Sequence, residues 1–199
     1  MMKKLAISII FSTLLFSSES FNTVKEEYVK SYNYEQMGKY NEAIKVLSPL
    51  YNKYPNGYTL NLRFGWLFYL NKQYKSATKY YKKASLVNSN AISPKLGIIR
   101  IYLDTASFEN AQTVSYEVIK KDYYNYYANL YITKALIAQY KYDVALKVVN
   151  KMLSLYPTDI LYLQELAVIY KKTSNKKLQS VYENILILDP NNVFVRDLI

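Results

Sequence analysis

Apolar residues recur along the chain at three- and four-residue steps, the spacing of one face of an α-helix. Leu62, Gly65, Trp66 and Tyr69 form one such series, and Ala77, Tyr80, Tyr81 and Ala84 the next. Short polar stretches separate the series in pairs: Met37 to Lys39, Asn71 to Gln73, Asp104 to Ser107 and Gln139 to Lys141. The pattern therefore predicts helix hairpins joined by tight turns. It also repeats. An aromatic followed three residues later by alanine occurs as Tyr40/Ala43, Tyr74/Ala77, Phe108/Ala111 and Tyr142/Ala145, each alanine 34 residues after the last. A fixed period of this size points to stacked supersecondary units, none able to bury its apolar face alone.

With each alanine set at one common position, other columns align. A large apolar residue lies upstream as Tyr34, Phe68, Tyr102 and Leu136, and a smaller or tolerant one before it as Ser31, Gly65, Ile99 and Thr133. Leu50, Ala84, Val118 and Met152 recur downstream, and Pro55 and Pro157 close their units. The small residues let two helix backbones approach, and the aromatic before each alanine packs over the crossing. A fifth unit is degenerate: Leu178 sits where alanine is expected, and the turn from Thr173 to Lys177 is about one residue short.

These columns resemble the tetratricopeptide repeat (TPR) family. The second unit, Tyr58 to Asn90, fits best, with Gly65, Phe68, Tyr74, Ala77, Tyr81 and Ala84 at signature places and Asn61 where the family has an early Trp. The resemblance runs from about Val24 to Pro190. It implies an all-α fold, a right-handed superhelical solenoid of antiparallel helix hairpins, with about five units and a C-terminal capping helix. The expected units are 24–57, 58–91, 92–125, 126–159 and 160–192, with a terminal helix at 193–199, all within one domain, 21–199. In the family the first helix of each unit lines a concave face that usually holds a partner peptide. By position that face carries Tyr28, Tyr32, Trp66, Tyr69, Arg100, Tyr127 and Lys134, with Leu62, Leu96, Leu103, Leu130 and Ile137 among them and Gln164, Lys171 and Lys172 in unit five. Exposed Tyr, Trp and Arg are enriched at binding hot spots. The places where carboxylate-clamping TPR domains use Lys and Asn hold Tyr28, Tyr32, Leu62 and Trp66, which argues against that subtype.

Local signals add detail. Thr23 to Glu26 has the form of a capping box, so the first helix is expected to begin there. Ser93-Pro94 fits an N-cap followed by proline. Pro49 lies inside a helical pattern and is expected to kink or end it.

The first twenty residues follow a different rule. Met1-Met2-Lys3-Lys4 is basic, Leu5 to Phe16 is uncharged and mostly apolar, and Ser18 and Ser20 are small. That order is a secretory signal peptide, 1–20, with the mature chain starting near Phe21. The apolar run is short for a membrane span, which takes roughly 20 residues; an uncleaved anchor is the alternative. No Cys follows it, which excludes a lipoprotein.

Composition narrows the chemistry. The 199 residues include no Cys and no His. Disulfides, thiolate or imidazole metal sites, cysteine nucleophiles and the Ser-His-Asp triad are excluded. No catalytic, cofactor-binding or metal-binding residue is expected, and the chain is read as a non-enzyme. The adjacent carboxylates Glu26 and Glu27 diverge by about 100° on a helix. The net charge is +11. A lysine-rich solvated surface explains it without any outstanding block of like charge, and A/T-rich codon usage would favour the same residues. The Lys-Tyr alternation from Lys75 to Lys83 mimics a nucleic-acid patch, but a solvated helix face is simpler and export argues against nucleic acid. The expected function is a periplasmic or secreted scaffold that holds a protein of the cell envelope in its groove. The alternative is a polysaccharide-binding or polysaccharide-export accessory protein, its aromatic and cationic groove taking an acidic glycan.

Overall fold

The computed structural model of the chain describes residues 20–196. The signal-peptide reading of residues 1–20 lies, except for Ser20, outside the described residues, as do the last three residues of the expected terminal helix. The described chain is all-helical, a repeat solenoid of helix hairpins: α1 (residues 20–36), α2 (Tyr40–Lys53), α3 (Tyr58–Leu70), α4 (Tyr74–Val87), α5 (Ser93–Asp104), α6 (Phe108–Lys121), α7 (Tyr126–Ala138), α8 (Tyr142–Leu153), α9 (Ile160–Lys172), α10 (Leu178–Leu188) and α11 (Val193–Arg196). It falls into two compact units, one ending at Asn90 and the other beginning at Ala91.

In the first unit α3 packs against both α2 and α4. That sandwich explains why α3 is buried on several sides at once, through Leu60, Asn61, Arg63, Phe64, Gly65 and Leu67. The second helices are amphipathic and bury one stripe each, as α4 does with Ala77, Tyr81 and Ala84. The tightest crossing is at Gly65. A Cβ added there would lie 2.6 Å from two carbons of the Tyr81 ring. In the second unit α7 packs against α6, α8 and α9, and it buries eight residues for the same reason. Its core runs from Ile99, Ala111 and Val118 through Leu136, Val149 and Met152 to Tyr162, Ile169 and Ile185.

The polar turns share one geometry. Gly38, Lys72, Ala106, Tyr140 and Ser174 all have positive φ, between 52° and 70°, and they stand 34 residues apart. Each turn then closes with the next backbone N–H donating to a carbonyl five residues back, as in Gln73 to Phe68 (2.9 Å) and Lys141 to Leu136 (2.9 Å). This is the Schellman ending, which satisfies the last carbonyls of the first helix. Only Gly38 adopts the left-handed backbone without a steric cost. The fifth turn keeps the interval at Ser174, but the buried face of α10 (Val181, Tyr182, Ile185) then comes one residue early against Val149 and Met152 of α8.

Asn61, at the family's early Trp position, has a structural task. Its Nδ2 donates to the carbonyls of Pro55 and Gly57, both at 2.9 Å, and pins the loop ahead of α3. Asn129 repeats this with Tyr123 (3.1 Å) and Asn125 (2.8 Å).

Some local expectations need correction. Thr23 is inside α1, which is already helical at Ser20, so it is not the N-cap. Ser93 is the first helical residue of α5, its N-cap position is Ile92, and no side chain caps that end. Pro49 does not end its helix: α2 continues to Lys53. Proline costs a helix the bond from its missing N–H, and here Pro49 is on the exposed side of α2, where water can reach the freed carbonyl.

Candidate functional site

In the first unit, facing residues of α1 and α3 build a shallow cleft of about 250 Å³, lined by Tyr28, Tyr32, Glu35, Thr59, Leu62, Arg63 and Trp66. Tyr28, Tyr32 and Trp66 were expected at a binding surface, and here they line one cleft. Tyr69 joins them through its ring, stacked on Trp66 at 5.6 Å between centroids. Tyr32 is half exposed. Burial raises the Tyr28 hydroxyl above the usual phenol range, Tyr32 adds to the rise, and Arg63 opposes it.

The charges under this cleft were not foreseen. Arg63 is buried and forms an ion pair with Glu35. Its Nη2 donates to Ser31 Oγ at 3.1 Å, and its guanidinium lies over the Tyr32 ring at 3.8 Å. The second oxygen of Glu35 accepts from Trp66 Nε1 at 2.7 Å. One carboxylate thus neutralises the arginine and fixes the indole. What reaches the surface is ring area over a closed ion pair.

The second unit holds two further cross-helix pairs. Arg100 of α5 donates through Nε to the hydroxyl of Tyr131 on α7. Its guanidinium lies 5.6 Å from the Tyr131 ring centre and 6.0 Å from that of Tyr127. Tyr127 is 47% exposed and stacks on Tyr131 at 6.0 Å. Arg100 and Tyr127 are therefore brought together. Lys134 is engaged elsewhere, 3.5 Å from Glu165 of α9. Burial raises the Glu165 carboxyl above its usual range, and Lys134 pulls it back.

These pairs obey a common spacing. Tyr32/Arg63, Arg100/Tyr131 and Lys134/Glu165 are each 31 residues apart, linking the first helices of consecutive hairpins. Arg63, Tyr131 and Glu165 occupy a single repeat column. Sequence reasoning passed over that column because it contains Val29 and Gly97 as well. A search for complementary side chains 31 residues apart would have found it.

Several residues expected at the surface belong to the packing. Leu130 is only 4% exposed and lies in the core, because α7 is enclosed by its neighbours. Ile137, Leu96 and Leu103 are half-buried against core clusters. Gln164 Nε2 donates to Asn192 Oδ1 at 3.2 Å. Lys171 and Lys172 border a different pocket, with Val168, Tyr182 and Phe194. No grouping of acidic side chains able to hold a metal ion occurs among the described residues, and no helix among them is long and apolar enough to cross a membrane.

Comparison with known proteins gives likeness in fold. No family model matches the sequence, and no curated protein matches it. Solved structures do. MamA (residues 41 to the end) from Desulfovibrio magneticus RS-1 is 16% identical at a TM-score of 0.72, covering 86% of this chain and 97% of that one. A tetratricopeptide repeat protein from Parabacteroides merdae is 16% identical at 0.75, covering 88% and 70%. YrrB, described as a TPR protein with an unusual peptide-binding site, is 12% identical at 0.65, covering 84% and 87%. With a 34-residue period, a left-handed turn at that same interval and these likenesses, the chain has the tetratricopeptide-repeat fold.

Proposed function

We propose that the chain is a non-catalytic scaffold of the cell envelope that holds a partner protein segment against the first-helix surface of its hairpins. The observation that carries this reading is the aromatic character of that surface. Arg63 and Lys134 are paired with Glu35 and Glu165, and Arg100 packs against the Tyr131 and Tyr127 rings, so the face offers rings more than free charge. Large amphipathic rings bury area at a modest entropy cost and suit a peptide side chain. Peptide binding by YrrB supports the same use of the fold. Export to the periplasm or beyond rests on the basic, apolar, small-residue order of Met1 to Ser20. An acidic glycan would draw on Arg63 and Lys134, which Glu35 and Glu165 already pair, and is the weaker reading.

The test is capture from a native cell-envelope extract, with the parent beside Tyr32→Ala/Trp66→Ala and Tyr127→Ala variants. The expected result is a specific protein retained by the parent, resistant to moderate salt and lost by the variants. Retention of acidic glycan in place of protein, released by moderate salt, overturns the peptide reading. Undiminished protein capture by the variants overturns the assignment of the surface.

A further inference from the structure

The first unit has a second face whose chemistry the groove does not use. From Ala43 to Leu103 the sequence contains no Asp or Glu, yet ten Lys and Arg. Within the first unit this run includes α3 and α4 entire. Lys75, Lys79 and Lys82 of α4 are exposed and fall at i, i+4 and i+7, which places them on one side of the helix. None of the three makes an ion pair among the described residues. The stripe continues to Leu86 at i+11, which is 84% exposed, and Val87 beside it is 47% exposed.

The other hairpins do not repeat this arrangement. In α6 the columns of Lys75, Lys79 and Lys82 hold Glu109, Thr113 and Tyr116; in α8 they hold Asp143, Lys147 and Asn150. The column of Leu86 holds Lys120 and Ser154. Mixed signs and polar tips are what solvated helix faces carry. An acid-free lysine row ending in exposed aliphatic side chains is a departure that solvation alone does not explain.

We infer that this face of α4 rests on an anionic phospholipid surface, the lysines against headgroups and Leu86 and Val87 in the headgroup–acyl boundary. Lysines near an anionic leaflet attract it, and an aliphatic tip adds apolar burial that a soluble polyanion does not offer. The inference is independent of what the groove holds.

The test uses the full chain and vesicles of phosphatidylcholine with and without one third phosphatidylglycerol, in a flotation assay. Two charge-matched variants are compared: Lys75→Gln/Lys79→Gln/Lys82→Gln on the face, and Lys120→Gln/Lys121→Gln/Lys147→Gln off it. Each lysine near the surface is worth about fivefold in partitioning, so the face variant is expected to lose roughly a hundredfold on anionic vesicles. The off-face variant should lose far less, and Leu86→Ser should weaken binding at constant charge. Equal losses in the two charge variants would mean net charge alone and overturn the inference. So would equal binding to neutral vesicles, which assigns the affinity to the apolar run Leu5 to Phe16. Binding of soluble polyglutamate as strong as that of the vesicles, unaffected by Leu86→Ser, would replace lipid with a polyanion.

Discussion

Gly65→Ala is the sharpest probe of the repeat crossing. In an ordinary helix interior this change stabilises by about 1 kcal/mol, because alanine loses less backbone freedom than glycine. At this site the new methyl would sit 2.6 Å from Cδ1 and Cε1 of Tyr81 and 2.9 Å from Cγ. The obstacle is the body of a ring only 2% exposed, not the free end of a flexible chain. Overpacking of that kind costs about 1–3 kcal/mol. The net expectation is a destabilisation of up to about 2 kcal/mol where propensity alone forecasts a gain. The neighbouring repeat supplies the control. Its same two columns hold Ile99 and Ser115, both fully buried, a large first-helix residue opposite a small second-helix one. Tyr81→Ser alone should cost about 3–5 kcal/mol as a cavity, and Gly65→Ile alone should cost more than Gly65→Ala. The pair Gly65→Ile/Tyr81→Ser, which copies the neighbour, should return to within about 1.5 kcal/mol of the parent, since volume is conserved. Urea unfolding followed by far-ultraviolet circular dichroism gives all four stabilities. If the double variant equals the sum of the singles, or if Gly65→Ala is the more stable protein, the two columns do not share one packing volume and the reasoning fails.

Three further outcomes are expected. Ala106→Gly should stabilise by about 0.5–1 kcal/mol in the same unfolding assay, because Ala106 has φ of 54° and glycine meets no penalty there; an unchanged midpoint would contradict this. Arg63→Met should destabilise by about 3–5 kcal/mol by leaving Glu35 without its partner, while Arg63→Met/Glu35→Met should cost much less; equal costs in thermal melts would refute the closed-pair account. Burial raises the hydroxyls of Tyr126 and Tyr162 above the ordinary value of 10.0, with the Asp159 hydrogen bond adding to the rise at Tyr126. A group raised in the folded state stabilises fully below its unfolded pKa and loses that contribution as pH rises past it. Stability should therefore fall above pH 10.0, and Tyr162→Phe should flatten the fall; a parallel decline in both proteins would count against it.

The repeat was legible because it is local. A 34-residue period, helical spacing and polar turns are properties of short segments, and their energetics are settled by neighbours in sequence. Even the one-residue fault of the fifth unit was visible, and α10 shows it as a buried face that arrives early. Tyr28, Tyr32, Trp66 and Tyr69 were placed on one face by the resemblance to the TPR pattern, and in the structure they lie together. What the sequence did not disclose depends on partners roughly 30 residues away. Nothing in the sequence singled out Arg63, around which Glu35, Ser31 and Tyr32 close in the fold. Leu130 looked like groove lining, yet α7 is enclosed and buries it. Pro49 read as a kink or a helix end, and α2 runs on past it to Lys53, with Pro49 at an exposed position where the lost bond is tolerated. The lysine row of α4 was spelled out in the chain, and the exposure of Leu86 at its end was not. Helix and turn follow from the backbone and its nearest residues, so the sequence determined them alone. Which charges cancel, and which side chains remain at the surface, follow from distance and burial, and only the tertiary structure decided those.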